Sequence, residues 1–171
     1  MASQITSRVF NVLFLCTHNS ARSVMAEALL NTLGNPRFKA FSAGSYPSGK
    51  PNALALEQIR ALGYPIEKIR SKSWDEFAQA NAPHMDIIIT VCDNAAGEIC
   101  PVWSGHPASA HWGFPDPSEA EGGDDAKRVA FAKVFTAIRQ RIQLLTDLRD
   151  DQLAHLSLAN ELTRIAKVTV S

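Results

Sequence analysis

Residues 9–23 read VFNVLFLCTHNSARS, and this stretch decides the fold. Its first half is rich in β-branched and aromatic residues, which predicts a buried parallel strand over residues 9–15. Residues 21–33 then show the apolar spacing of a helix, and Gly34 lies where a C-terminal cap belongs. A strand, a tight loop and a helix in this order form an anion site in open α/β folds, because the N–H groups at the helix N-terminus point at the ligand.

The loop between this strand and helix carries one thiol and one guanidinium. Arg22 supplies a planar fork that pairs two oxygens of an oxyanion at once, and Cys16 is a nucleophile aimed at a tetrahedral centre such as phosphorus or arsenic. We expect the positive field of the helix N-terminus to lower the pKa of Cys16, so that a thiolate is present at neutral pH. The residues predicted to bind the oxyanion are Thr17, His18, Asn19, Ser20, Ala21 and Arg22. The alternative is a buried structural cysteine beside an unrelated surface arginine.

The remainder of the chain alternates predicted strands and helices. Further strands are predicted over residues 38–42, 86–91 and 110–114, and helices over residues 52–62, 74–80 and 124–148. This alternation predicts an α/β fold in three layers, with a four-stranded parallel sheet and helices on both faces. Residues 1–150 are predicted to form the catalytic domain. Residues 151–171 are predicted to form a helical C-terminal appendage that packs on the domain or on another chain.

The composition argues against several classes of partner. Lys and Arg together number 17, as do Asp and Glu, so no basic excess favours nucleic acid or an anionic membrane. No apolar run approaches the ~20 residues of a membrane span, and the first residues lack the apolar segment of a signal peptide. We therefore expect a cytoplasmic protein with reduced thiols. Its three cysteines then indicate catalysis, redox work or metal binding rather than a structural disulfide set.

The segment VLFLCTHNSARSVMAEAL at residues 12–29 resembles the N-terminal signature of low-molecular-weight protein tyrosine phosphatases and of the arsenate reductases that share their fold. The resemblance runs from about residue 8 to residue 148. It implies that Cys16 is the nucleophile, that Arg22 and the loop N–H groups bind the oxyanion, and that Ser23 hydrogen-bonds the thiolate.

A general acid is also needed, because the oxygen that departs when a thiolate attacks an oxyanion must receive a proton. Asp116 precedes Pro117 in a loop late in the chain, and in the resembled family an Asp-Pro pair in this place is the general acid. The alternative is an aspartate in an ordinary turn, since Asp-Pro is common in loops. Ser118 follows the pair where the phosphatases usually carry an aromatic residue, so a phosphotyrosine ring has less support here.

Two further cysteines separate a reductase from a phosphatase, which needs only Cys16. Cys92 ends a predicted core strand and should lie on the same rim of the sheet as the Cys16 loop, and Cys100 follows after a loop. Three thiols in reach of one another can pass an oxidised state from sulfur to sulfur. The alternatives are two buried core thiols, or a zinc site built from Cys92, Cys100, His106 and His111.

The order of these cysteines, followed by His-Trp-Gly and Asp-Pro, is similar to that of the thiol-dependent arsenate reductases. That resemblance implies a relay from Cys16 through Cys92 to Cys100, without a tightly bound cofactor. It also implies re-reduction by an external thiol system, either thioredoxin or glutathione with glutaredoxin. Two other functions remain open: a phosphatase using Cys16, Arg22 and Asp116, and an oxyanion or metal sensor that is not an enzyme.

A cation site is a further possibility that the resemblance raises. Asn19 holds the loop in shape in the resembled family, and some reductases of that family bind a potassium ion with this asparagine. Ser42 and Ser71 fall at positions that contribute to that site, whereas Ser73 stands where a carboxylate is expected. Simple solvation of these polar side chains is the alternative.

Overall fold

The computed structural model describes residues 8–92, 107–154 and 158–167, and a parallel sheet of four strands lies at its centre. The strands are β1 (Phe10–Cys16), β2 (Phe38–Gly44), β3 (Ile87–Thr90) and β4 (Ala108–His111), in the spatial order β2-β1-β3-β4. The chain passes from β1 to β2 on one side and reaches β3 on the other side of β1, so the carboxyl ends of β1 and β3 border a crevice. Cys16 and Cys92 both lie at this edge of the sheet.

Helices pack against this sheet. In the described residues the α-helices are α1 (Arg22–Leu33), α2 (Ala53–Leu62), α3 (Asp124–Thr146), α4 (Asp150–Leu153) and α5 (Leu158–Ala166). Short 3-10 helices occupy Ile66–Lys68, Trp74–Phe77 and Pro117–Glu119. The predicted helices at residues 21–33, 52–62 and 124–148 are confirmed to within two residues at each end. None of the helices in the described residues has the length and apolar character needed to cross a lipid bilayer.

The two faces of β1 pack into two hydrophobic clusters. Val12 and Phe14 face the larger cluster, which α1, α2, α3 and α5 complete. Leu13 and Leu15 face the smaller cluster, which includes the 3-10 helix at Trp74–Phe77. This alternation is expected of a strand that is buried on both sides. The predicted fold class, a parallel four-stranded sheet between helical layers, is confirmed.

Two predicted elements differ from those found. The strand predicted at residues 110–114 lies at Ala108–His111, because the regular pairing of β4 with β3 covers only those residues. Beyond it, the N–H groups of Trp112 and Phe114 still donate to the carbonyls of Thr90 and Val91. The α-helix predicted at residues 74–80 is a 3-10 helix of one turn. Trp74 is the buried residue of this turn, so a single turn is enough to place its indole on the sheet.

Helix α5 packs into the larger hydrophobic cluster. Its Leu158, Leu162 and Ile165 are buried there, against β4. Trp112, which follows β4, is fully buried, and its indole N–H donates to the main-chain carbonyl of Leu162 at 3.0 Å. The described part of the C-terminal segment is therefore in direct contact with the sheet domain.

Candidate active site

The backbone of the loop after β1 is held from outside by the segment between β2 and α2. Three N–H groups donate to loop carbonyls: Tyr46 to Thr17, Ser48 to His18 and Asn52 to Ser20, at 2.8, 3.0 and 2.8 Å. A trans peptide directs its C=O and the following N–H to opposite sides. The N–H groups of His18, Asn19 and Ala21 therefore face away from these partners and toward the inside of the loop, where an anion would lie.

Two residues allow this loop conformation. Asn19 has a φ of 49°, in the left-handed region that asparagine tolerates better than most residues, and its side chain is fully buried. Gly44, the last residue of β2, lies against the loop. A Cβ on Gly44 would meet the Thr17 oxygen at 2.4 Å and the Cys16 oxygen at 2.9 Å. Only glycine lets β2 approach the loop this closely.

The Cys16 thiol lies at the end of a chain of hydrogen bonds. Its Sγ is 2.9 Å from the Oγ of Ser23, and that hydroxyl accepts a hydrogen bond from Nδ2 of Asn19 at 2.8 Å. Because Asn19 donates to the hydroxyl, the single proton of Ser23 is available to the sulfur. The Oδ1 of Asn19 in turn accepts the main-chain N–H of Lys72 at 2.9 Å. This geometry suits the roles that the resemblance implies for Ser23 and Asn19.

Cys92 reaches the same loop from the end of β3. Its Sγ accepts the N–H of Thr17 at 3.3 Å and lies 3.7 Å from the Oγ1 of Thr17. Cys16 and Cys92 are both buried, and neither forms a disulfide. A hydrogen bond with the Cys92 thiol, together with burial, raises the pKa of Cys16 well above its ordinary value, against the lowering effect of Ser23. The predicted lowering of the Cys16 pKa is therefore wrong for this loop, because the adjacent Cys92 thiol and the burial of Cys16 outweigh the hydrogen bonds from Ser23.

Arg22 and Asp116 face each other at the mouth of the loop. The Nη2 of Arg22 is 3.5 Å from the Oδ2 of Asp116, and its Nη1 donates to the carbonyl of Phe114 at 2.9 Å. The other carboxyl oxygen of Asp116 accepts the N–H and the hydroxyl of Ser118, at 2.9 and 2.7 Å. One oxygen of Asp116 is thus tied into a turn while the other is directed at Arg22. A structural role in the turn and a role in proton transfer are therefore compatible.

A small pocket opens between the loop and this turn. Its volume is about 50 Å³, and its lining consists of Cys16, His18, Ser20, Ala21, Arg22, Asp116 and Ser118. A pocket of this size, lined mainly by polar groups, has room for a small ligand only. No aromatic side chain of the described residues lines it. The pocket therefore suits a bare oxyanion better than an aryl ester.

The residues considered for potassium binding form hydrogen bonds with other protein groups. The Oγ of Ser42 donates to Oε1 of Glu27 at 2.6 Å, and the Oγ of Ser71 donates to the carbonyl of His18 at 3.0 Å. Ser42 and Asn19 are fully buried, and Glu27 is 7% exposed. Ser42 therefore links β2 to α1, and Ser71 links the segment after α2 to the loop after β1.

The residues considered for zinc binding are only partly described. Cys92 contacts Thr17 in the loop that follows β1, whereas Nδ1 of His111 is 2.7 Å from the Oγ1 of Thr90. Cys100 and His106 lie outside the described residues. Among the residues that are described, no group of three His, Cys, Asp or Glu side chains is arranged to hold a metal ion.

Sequence reasoning missed several contributors to this site. They are the side chains of Glu27 and Lys72, the contact of Ser118 with Asp116, the carbonyl of Phe114 and the missing side chain of Gly44. The pattern Asp-Pro-Ser does carry a signal for the contact of Ser118, because an aspartate oxygen commonly accepts the N–H two residues later in a turn. The other contributions depend on contacts between distant parts of the chain and have no local signal.

Known proteins are similar to the part of the chain that contains this site. The sequence profile of the family described as low molecular weight phosphotyrosine protein phosphatase matches residues 11–155. The arsenate reductase of Halalkalibacterium halodurans is 34% identical over 136 residues, which cover 80% of this chain and 94% of that protein. The matched family segment contains the loop, Cys92 and Asp116, and α5 lies beyond it.

Solved structures share the fold. The arsenate reductase from Archaeoglobus fulgidus has a TM-score of 0.61 and 28% identity, covering 80% of this chain and 99% of that one. The thioredoxin-dependent arsenate reductase of Corynebacterium glutamicum has a TM-score of 0.55 and 27% identity, covering 82% of this chain and 65% of that one. Both similarities agree with the parallel sheet and helical layers described above.

Proposed function

The chain belongs to the low molecular weight phosphotyrosine protein phosphatase family, and we propose that it is an arsenate reductase of that family that works through a relay of Cys16, Cys92 and Cys100. The observation that carries the proposal is the contact between Cys92 and the loop, since the Cys92 sulfur accepts the N–H of Thr17 at 3.3 Å. A phosphatase needs no second thiol at this position. A reductase does, because a second thiolate must attack the sulfur that is bonded to arsenic in order to release arsenite and form a disulfide.

In the first step, Cys16 attacks arsenate held by the loop N–H groups and Arg22. A sulfur–arsenic bond forms, an oxygen leaves arsenic, and Asp116 protonates that oxygen so that it departs as water. Cys16 must be ionised for this attack. We propose that an entering oxyanion moves Cys92 away from Cys16, which removes the main contact that raises the Cys16 pKa and leaves the Ser23 hydroxyl to stabilise the thiolate.

In the second step, the thiolate of Cys92 attacks the sulfur of Cys16. The sulfur–arsenic bond breaks with its electron pair on arsenic, so arsenic(V) becomes arsenic(III) while the two sulfurs are oxidised to a disulfide. Cys100 then attacks Cys92 and releases Cys16 as a thiol. This last exchange rests on the position of Cys100 in the sequence, because Cys100 lies outside the described residues.

The resulting disulfide of Cys92 and Cys100 must be reduced from outside for the next turnover. Thioredoxin is one candidate, since the related reductase of Corynebacterium glutamicum is thioredoxin-dependent, and glutathione with glutaredoxin is the other. We place the reaction in the cytoplasm, where such reductants keep protein thiols reduced.

Trapping of the disulfides tests the relay. The reduced protein is mixed with arsenate without external reductant, arsenite is quantified, and the disulfides are mapped by mass spectrometry. Wild type is expected to release one arsenite per chain and to accumulate the Cys92–Cys100 disulfide. Cys100→Ser should stop at a Cys16–Cys92 disulfide, and Cys92→Ser should hold arsenic on Cys16 without releasing arsenite.

Steady-state assays separate the other functions. Arsenate is supplied with thioredoxin, thioredoxin reductase and NADPH, and separately with glutathione and glutaredoxin. Arsenite formation that survives both Cys92→Ser and Cys100→Ser would contradict the relay. Hydrolysis of an aryl phosphate without arsenate turnover would favour the phosphatase, and stoichiometric zinc binding without turnover of either substrate would favour the sensor.

A further inference from the structure

A buried pair of opposite charges lies behind the catalytic loop. Lys72 is 8% exposed and Glu27, on α1, is 7% exposed. The Nζ of Lys72 is 3.6 Å from Oε1 of Glu27 and donates to the carbonyl of Arg70 at 2.9 Å. The same Glu27 oxygen accepts the hydroxyl of Ser42 at 2.6 Å. These contacts identify an internal cation that the reaction described above does not use.

This pair is connected to the nucleophile through the main chain of Lys72. The N–H of Lys72 donates to Oδ1 of Asn19, Nδ2 of Asn19 donates to Ser23, and Ser23 contacts the Cys16 sulfur, at 2.9, 2.8 and 2.9 Å. The carbonyl of Lys72 accepts the N–H of Gly44 at 2.9 Å, and Gly44 is the residue that packs directly on the loop. The position of Lys72 therefore determines the position of Asn19.

The same place was a candidate for potassium, and the residues present do not fit a free ion. Asn19 directs Oδ1 at the N–H of Lys72, Ser42 donates its proton to Glu27, and Ser71 donates its proton to the carbonyl of His18. The ammonium group of Lys72 already provides a positive charge beside the Glu27 carboxylate.

We propose that Lys72 is a positioning residue whose ammonium group takes the place of an exchangeable cation, neutralising Glu27 so that the segment around Lys72 holds Asn19 and the catalytic loop. The proposal rests on the proposed function only in taking Cys16 as the nucleophile and the loop as the oxyanion site.

Charge neutralisation is needed because both groups are buried. Burial raises the pKa of Glu27 and lowers the pKa of Lys72, and each partner opposes the shift of the other. Removal of one member of a buried pair leaves an uncompensated charge, whereas removal of both leaves none. The proposal therefore distinguishes single from double substitutions.

The test compares cation dependence in variants at this position. Wild type, Lys72→Ala, Lys72→Met and the double variant Glu27→Gln/Lys72→Met are prepared, with Lys68→Ala as a control at an exposed lysine. Binding of inorganic phosphate is measured by calorimetry, and alkylation of Cys16 by iodoacetamide is the second readout. Each is measured in choline, potassium and ammonium chloride at equal ionic strength. Neither readout requires arsenate turnover, so failure of this proposal is distinguishable from failure of the proposed function.

Wild type and Lys68→Ala are expected to behave alike in all three salts. In choline chloride, Lys72→Ala should bind phosphate about ten-fold more weakly than wild type, which is a usual effect of removing a residue that supports the residues of a site. Potassium or ammonium should restore binding, because either cation can enter the space that the lysine side chain left. Lys72→Met should stay weak in every salt, because its side chain fills that space. The double variant should recover the affinity of wild type without responding to cations.

Two results would overturn the proposal. One is a response of wild type to potassium as large as that of Lys72→Ala. The other is a double variant that binds phosphate no better than Lys72→Met, since charge neutralisation would then not be the role of Lys72. If the single variants do not fold, a folded double variant supports the proposal and an unfolded one contradicts it.

Discussion

The main-chain N–H of Thr17 donates to the sulfur of Cys92 at 3.3 Å, across 75 positions of the sequence. The second thiol of the chain therefore lies directly against the loop that follows β1. Because it also hydrogen-bonds Cys16 and raises the Cys16 pKa, we expect Cys92 to restrain the proposed nucleophile in addition to the resolving role proposed above. This dual contact leads to the first prediction.

Cys92→Ala should make Cys16 more reactive in the ligand-free protein. Loss of the Cys92 contact removes the largest cause that raises the Cys16 pKa, so more thiolate is present at a given pH. The pH profile of Cys16 alkylation by iodoacetamide should therefore move to lower pH. Ser23→Ala is the matched variant with the opposite expected shift. The Ser23 hydrogen bond lowers the pKa of Cys16, so the alkylation profile of Ser23→Ala should move to higher pH. Identical profiles for Cys92→Ala and wild type would show that Cys92 does not control the nucleophile.

Gly44→Ala should disrupt the loop. The added Cβ would lie 2.4 Å from the Thr17 oxygen, and overpacking of this kind costs about 1–3 kcal/mol. The free energy of unfolding in urea should fall by that amount and phosphate binding should be lost. Gly123→Ala is the control, because nothing lies near its added Cβ. Retention of wild-type phosphate affinity in Gly44→Ala would contradict the close approach of β2 to the loop.

Asp116→Asn should slow the chemical step without abolishing oxyanion binding. Loss of a positioned general acid lowers rates by about 10²–10⁴-fold, and the rate of arsenite release in a single turnover should fall accordingly. Phosphate affinity should be retained, since Arg22 is unchanged and no carboxylate competes with the anion for its guanidinium group. Glu119→Gln, at an exposed carboxylate in the same turn, serves as the control. An unchanged single-turnover rate in Asp116→Asn would remove Asp116 from the mechanism.

Trp112→Phe should destabilise the protein although it preserves an aromatic ring in the core. The substitution removes the N–H that donates to the Leu162 carbonyl, and a hydrogen bond of this kind contributes about 0.5–1.5 kcal/mol. Urea unfolding measures the loss, and Thr163→Ala, on an exposed position of α5, should change stability by less than about 0.5 kcal/mol. Equal stability of Trp112→Phe and wild type would mean that α5 does not depend on this contact.

The local sequence pattern was sufficient to predict the sheet and the main helices around the site. The apolar run of β1, the polar loop and the period of α1 are continuous in the sequence, so Cys16 and Arg22 could be placed at one strand–helix junction without a structure. The position of Cys92 after a core strand was also predictable, because the carboxyl ends of parallel strands meet at one edge of the sheet. The bounds of β4 were less accurate, since a strand's ends depend on the length of its partner.

By itself, the sequence determined that a thiol and an arginine share one loop between a strand and a helix of a parallel α/β fold, because the strand, the loop and the helix follow one another within a short stretch of residues. Only the tertiary structure decided how that loop is held and how its thiol ionises. Gly44, Lys72 and Cys92 approach the loop from β2, from the segment after α2 and from the end of β3. The pKa of Cys16 depends on burial and on a sulfur 76 positions away, and both are set by packing between elements rather than by sequence neighbours.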